Sequence, residues 1–352
     1  MSGVLRAAAA VSIAVLATVL PGAPASAAAP PTVDFVALGD SYAAGVGAGT
    51  PLDSCRNTAG AYPRLWTATD ASLVRLTTAT CSGGKTSDVL AAAAALTAET
   101  DLVSITAGAN DLGVTGAFAA CLDPNRAADC AAAQAAIEAA LQSTLPSAVG
   151  AVLTAVKERA PKAKVVLTGY PQPFSATGDC GTPDIPAEVR ALGNRVMGGL
   201  NTVLAAQATL AGIAYVDVEP AFAGHEICGA APWVIGFEGQ ADGTILHPGA
   251  AGQAEGYLPL FTRAVGTPQD VSQWITERDA PTASPTASPA GTATPLPSGS
   301  AIAAPPASGG GGGGTLPITG PDVWMAILTG VALVSAGAAI YLLARRVLAT
   351  AK

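Results

Sequence analysis

Ala37-Leu38-Gly39-Asp40-Ser41-Tyr42 closes the mostly apolar run that begins at Val33. A run of this length reads as a buried strand. Gly39 breaks it, and the small-residue segment Ala43 to Gly49 follows. Ser41 therefore stands at the carboxyl end of a strand, where open α/β sheets collect their active sites. There its hydroxyl can attack a carbonyl carbon while its own backbone N–H holds the developing oxyanion. Gly-Asp-Ser is also a common turn, so this chemistry needs support from elsewhere in the chain.

Outward from that strand, four more strand candidates follow: Leu73–Thr77, Leu102–Thr106, Lys164–Thr168 and Ile213–Val218. Ala- and Leu-rich segments of helical length separate them: Thr86–Thr97, Ala131–Arg159 and Pro186–Leu210, with a last helix expected from about Pro248 to Val265. Alternation of this kind predicts an α/β fold, a central parallel sheet with helices on both faces. Residues 28–277 are long enough for one domain with a substantial core.

Three of the strands end in chemistry-bearing turns. Cys81-Ser82-Gly83-Gly84 comes after the second and Gly108-Ala109-Asn110-Asp111 after the third. His247-Pro248 lies far downstream, before Gly249-Ala250-Ala251-Gly252. With Gly39-Asp40-Ser41 these stretches, in this order, resemble the four blocks of the SGNH (GDSL) hydrolase family, over roughly residues 33–266. The resemblance implies a flavodoxin-like strand order and hydrolysis of carboxylic esters by an acyl-enzyme route, with no cofactor. It also implies a role for each matched residue. Ser41 is the nucleophile and His247 its base. The backbone N–H groups of Ser41 and Gly83 and the side-chain amide of Asn110 form the oxyanion hole. The residue types agree, because a serine hydroxyl needs a base, and histidine, the residue type suited to that task, occurs only at His225 and His247. His225, close to Cys228 in a loop, reads as structural or surface.

The family often carries Asp three residues before the histidine. Here Thr244 occupies that place, and the nearest upstream acid is Asp242. Some members use a backbone carbonyl instead. The third member is thus either the Thr244 carbonyl, which leaves a Ser-His dyad and is the favoured reading, or Asp242. Asp217, near the end of the fifth strand, is a further acid that could equally cap a turn.

All six cysteines fall in the 28–277 body. An even count in an exported chain favours disulfides over a metal site, and six cysteines allow 15 pairings. Sequence order, together with the similar sequential pairing of secreted actinobacterial-type relatives, gives Cys55–Cys81, Cys121–Cys130 and Cys180–Cys228. Two histidines and no Cys-x-x-Cys make a zinc site improbable, so no metal is expected.

The two ends read as targeting signals. Residues 1–27 hold a single charge, Arg6, then the uncharged run Ala7 to Leu20 and the small-residue cleavage site Ala25-Ser26-Ala27, a secretory signal peptide. Residues 278–315 are almost all Pro, Ala, Ser, Thr and Gly, a disordered linker by composition. Within 316–352, Leu316-Pro317-Ile318-Thr319-Gly320 precedes the uncharged segment 323–344 and the basic Arg345, Arg346 and Lys352. This order resembles the sortase sorting signal of Gram-positive surface proteins. It implies cleavage between Thr319 and Gly320 and attachment of Thr319 to peptidoglycan, with 323–344 as a transient membrane segment.

With both end segments gone, 13 basic and 24 acidic residues remain, a net charge of −11. An acidic chain without basic stripes argues against nucleic acid as a partner. The expected partners are an ester substrate, sortase and peptidoglycan, and the chain is expected to be a monomer. The competing reading is a surface adhesin or binding module on a retained hydrolase fold. Within the enzyme class, the acyl group could belong to a lipid, an acetylated glycan or a small ester.

Overall fold

The computed structural model describes residues 29–281, apart from 182–183 and 238–242. The expected signal peptide, most of the linker, the sorting signal with Thr319 and Gly320, and Asp242 lie outside the described residues.

Five strands form the sheet: β1 (Val33–Gly39), β2 (Val74–Thr80), β3 (Leu102–Thr106), β4 (Lys164–Thr168) and β5 (Ala214–Val216). All are parallel, in the order β2-β1-β3-β4-β5. This is the flavodoxin-like doubly wound order, with its switch point between β1 and β3. The central β1 is flanked on both sides, Val36 lying opposite Thr77 of β2 and Val103 of β3. Burial on both faces explains why β1 and β3 read as nearly unbroken apolar runs. β2, at the edge, extends three residues past its expected end. β5 is shorter than expected, and Asp217 falls just after it.

The helices are α1 (Ser41–Ala44), α2 (Tyr62–Ala68), α3 (Thr86–Ala92), α4 (Val114–Leu122), α5 (Ala127–Gln142), α6 (Thr144–Arg159), α7 (Ala187–Ala211), α8 (Glu219–Phe222), α9 (Leu258–Val265) and α10 (Pro268–Asp279). α3, α6 and α7 pack together on one face of the sheet. α2, α9 and α10 cover the other, where the Phe35 ring meets Trp66 at 5.4 Å and Phe261 at 5.8 Å. The buried stripe of α6, Leu145, Val149, Val152 and Val156, has helical spacing. α7 starts after Pro186 and stops at Gly212, whose φ of +65° is the left-handed cap glycine adopts cheaply.

The single helix expected over Ala131–Arg159 is two helices. The axis bends by 44° at Ser143. Pro146 supplies the cause: it has no N–H to donate and its ring crowds the carbonyl of residue 142. α10 continues to Asp279, two residues past the boundary drawn from composition. A capping box at its start, with Thr267 and Asp270 bonding each other's backbone N–H, explains its strength.

Candidate active site

The site is built at the carboxyl edge of the sheet, at the switch point. Gly39 ends β1 with φ +141°, and a Cβ there would run into the Thr106 carbonyl of β3. The chain can therefore turn sharply between two strands only at glycine. Asp40 then caps α1. Its Oδ1 accepts from Tyr42 N at 2.9 Å, which fixes Ser41 as the first helical residue. Its Oδ2 accepts from the Tyr170 hydroxyl at 2.5 Å. Asp40 is fully buried, and burial, outweighing the hydrogen bonds from Tyr170 and Tyr42, pushes its carboxyl up to about 7. The same burial raises the phenols of Tyr42 and Tyr170.

His247 arrives from a different part of the chain. Its Nε2 lies 2.7 Å from Ser41 Oγ. Its Nδ1 lies 3.0 Å from the Ile245 carbonyl and 3.2 Å from that of Thr244. Carbonyl oxygens only accept, so Nδ1 carries the proton and Nε2 presents its lone pair to the hydroxyl. The histidine loop is held by a backbone ladder: Ile235 N donates to His247 O and Leu246 N donates to Ile235 O, each at 2.9 Å. Leu246 sits at φ +68°, a left-handed backbone that a leucine keeps only when its surroundings force it.

Asn110 follows β3. Its Nδ2 donates to Gly84 O at 3.0 Å, and the side chain lines the cleft described below. Asp111 anchors this turn to the start of α3, accepting from Thr86 N at 3.0 Å and Thr86 Oγ1 at 2.6 Å. Gly83 adopts φ +81° in the turn after β2, where a Cβ would meet nothing within 4 Å. It is not among the residues that line the cleft described below; a Cβ on Gly84 would come within 3.6 Å of Gly39 O and 3.9 Å of Asp40 Cα. The Cys55–Cys81 disulfide closes that turn from the other side, and Cys121–Cys130 and Cys180–Cys228 complete the three bridges.

Ser41, Asn110 and His247 thus share one edge of the sheet. Asp217 instead accepts from Glu219 N at 3.0 Å, in the turn that leads into α8. His225 stacks on Trp233 with ring centroids 3.7 Å apart, its Nδ1 2.7 Å from the Ala231 carbonyl.

From Ser41 an apolar cleft with a cavity volume of about 110 Å3 runs between α4, α5 and α7. Val114, Phe118, Ile137, Phe174, Leu192 and Met197 are among its lining. Phe118 is stacked between Phe174 and Phe237 at 5.2 and 5.4 Å.

The model of the GDSL-like lipase/acylhydrolase family matches residues 37–255, a span that contains every one of these side chains. The chain belongs to this family. As a GDSL-like acylhydrolase it is a carboxylic ester hydrolase. A lipase of Streptomyces rimosus is 39% identical over 249 residues, which are 69% of this chain and 91% of that protein. The solved structure of the extracellular lipase of Streptomyces rimosus superposes with a TM-score of 0.62, over 66% of this chain and 100% of that one. The solved phospholipase A1 of Streptomyces albidoflavus, 37% identical, also gives 0.62, over 66% of this chain and 99% of that one.

The roles of Tyr42, Tyr170 and Asp111 are not legible in the sequence, although Tyr42 and Asp111 stand beside Ser41 and Asn110. Tyr170 offered one usable signal: it follows the carboxyl end of β4, as Ser41 follows β1 and Asn110 follows β3.

Proposed function

We propose that this chain is a secreted, wall-anchored serine esterase or lipase that cleaves esters of apolar acyl chains. The observation that carries the reading is the 2.7 Å contact of Ser41 Oγ with His247 Nε2 at the head of an apolar cleft. His247 takes the Ser41 proton on Nε2 as Oγ attacks the ester carbonyl carbon. The carbonyl oxygen becomes an oxyanion held by the Ser41 N–H and Asn110 Nδ2, with the Gly83 N–H as the third donor that the family resemblance assigns. Collapse breaks the bond to the alcohol, which leaves with the proton from Nε2. Water, deprotonated by the same nitrogen, then releases the acid from Ser41. The carbonyls of Thr244 and Ile245 hold the imidazole in the required tautomer.

The cleft wall supports an acyl chain longer than acetate, because aliphatic and aromatic side chains reward burial of methylenes at about 0.8 kcal/mol each. That favours a lipid or a medium-chain ester over an acetylated glycan. The relatives, a lipase and a phospholipase A1, agree with this choice. Secretion is supported by the composition of residues 1–27 and by likeness to an extracellular lipase. Wall attachment rests on Leu316 to Gly320 with its apolar segment and basic tail. Thr319→Ala is expected to leave the protein in the membrane or medium; recovery of that variant covalently bound to purified peptidoglycan would refute the sortase route.

A panel of p-nitrophenyl esters from acetate to palmitate tests the activity. Turnover rising from acetate toward medium or long chains supports the reading. No hydrolysis of any ester by the folded protein would favour a binding module instead.

A further inference from the structure

We propose that Tyr42 is a positioning residue, its hydroxyl setting the distance between Ser41 and His247. This rests on the catalytic roles proposed above for those two residues. The Tyr42 hydroxyl donates to the Leu246 carbonyl at 2.5 Å, across 204 residues of chain. That carbonyl belongs to the peptide group joining Leu246 to His247. The N–H of the same peptide donates to Thr244 O at 3.1 Å. Both ends of this peptide plane are therefore tied, and the Leu246 backbone beside it is in a conformation it would otherwise leave.

Tyr42 is itself immobilised at every polar atom. Its N–H donates to Asp40, and its carbonyl accepts from Gln253 Nε2 at 2.9 Å. Gln253, fully buried, holds α2 through Tyr62 N at 2.9 Å. The Tyr42 ring packs edge-on against Tyr170 at 4.9 Å and lies 5.3 Å from the His247 ring. Ser41 and Tyr42 are neighbours in α1. One short helix thus carries the nucleophile and grips the loop of its base.

Reacting pairs are sensitive to such placement: a misfit near 1 Å can cost about a hundredfold in rate. Tyr42→Phe keeps the ring and deletes only the grip. The matched control is Tyr257→Phe, because Tyr257 also donates its hydroxyl to a buried backbone carbonyl, that of Gly169 at 2.8 Å, away from the histidine loop. Both variants and the wild type are assayed for kcat and KM, for the rate of Ser41 modification by a fluorophosphonate, and for melting temperature.

The expected result is a fall of about ten- to a hundredfold in both kcat and labelling rate for Tyr42→Phe, with KM within about twofold. Tyr257→Phe should lose a similar amount of melting temperature and little rate. An unchanged kcat in folded Tyr42→Phe, an equal rate loss in Tyr257→Phe, or failure of Tyr42→Phe to fold would each overturn the positioning role. Full activity in Ser41→Ala would instead overturn the catalytic assignment on which it rests.

Discussion

Replacing Asp40 by Asn should change how the protein's stability depends on pH. Asp40 is fully buried beneath the nucleophile, and its carboxyl holds its proton up to about 7, against an ordinary value of 3.8 in the unfolded chain. Below 3.8 both states are protonated and folding gains the whole benefit of a neutral buried acid. Between 3.8 and 7 the unfolded chain releases the proton while the folded state retains it. Stability therefore falls by about 1.4 kcal/mol per pH unit across that window, about 4 kcal/mol in all, and levels off above it. Asn cannot titrate, is as good a helix cap as Asp, and can face the Tyr170 hydroxyl with its donor and acceptor reversed. Urea unfolding of both proteins, disulfides intact, at pH 4, 5.5, 7 and 8.5 isolates the effect. Every other ionisation is common to both and cancels in the difference. The stability of Asp40→Asn minus that of the wild type should rise by about 4 kcal/mol from pH 4 to pH 8.5. Parallel curves would show that Asp40 titrates normally and that burial does not govern it.

Four further outcomes test the site and the fold. Asn110→Ala should lower kcat by about two to three orders of magnitude, as loss of one oxyanion donor does; a folded variant with unchanged kcat would make Asn110 only the tie to Gly84. Thr244→Ala keeps its main-chain carbonyl, so kcat should stay within about tenfold. Asp242→Asn should do the same if the two carbonyls on His247 Nδ1 suffice, whereas a loss near 10⁴ would establish a triad aspartate. Replacing Cys121 and Cys130 together by Ser opens a loop with a separation of 9 residues, which should cost about 2–3 kcal/mol in urea unfolding; an unchanged midpoint and slope would contradict that.

Much of the site was legible because its residues sit at strand ends. A run such as Val33 to Gly39 announces a buried strand, and the residue after it must lie at the sheet edge. The same logic places Asn110. His247 was found by residue type and neighbours, since few side chains can act as a base near neutrality. The contacts that set the geometry were not legible. Tyr42 meets Leu246 across 204 residues and Tyr170 meets Asp40 across 130. Local periodicity and composition carry no record of such distant pairs. The break at Ser143 is not marked by composition, because helix-favouring residues continue on both sides of it; only Pro146 marks it. α4 leaves no periodic signal either: Val114 to Leu122 is apolar without a clear stripe, since it packs against α5 and α7.

The central claim is that Ser41, activated by His247, is the nucleophile. Treating the folded protein with a fluorophosphonate and locating the adduct by peptide mass spectrometry tests it most directly. A single adduct on Ser41, absent in Ser41→Ala and formed at least about a hundredfold more slowly in His247→Ala, is the predicted result. An adduct elsewhere, or labelling of Ser41 that is indifferent to His247, would contradict it.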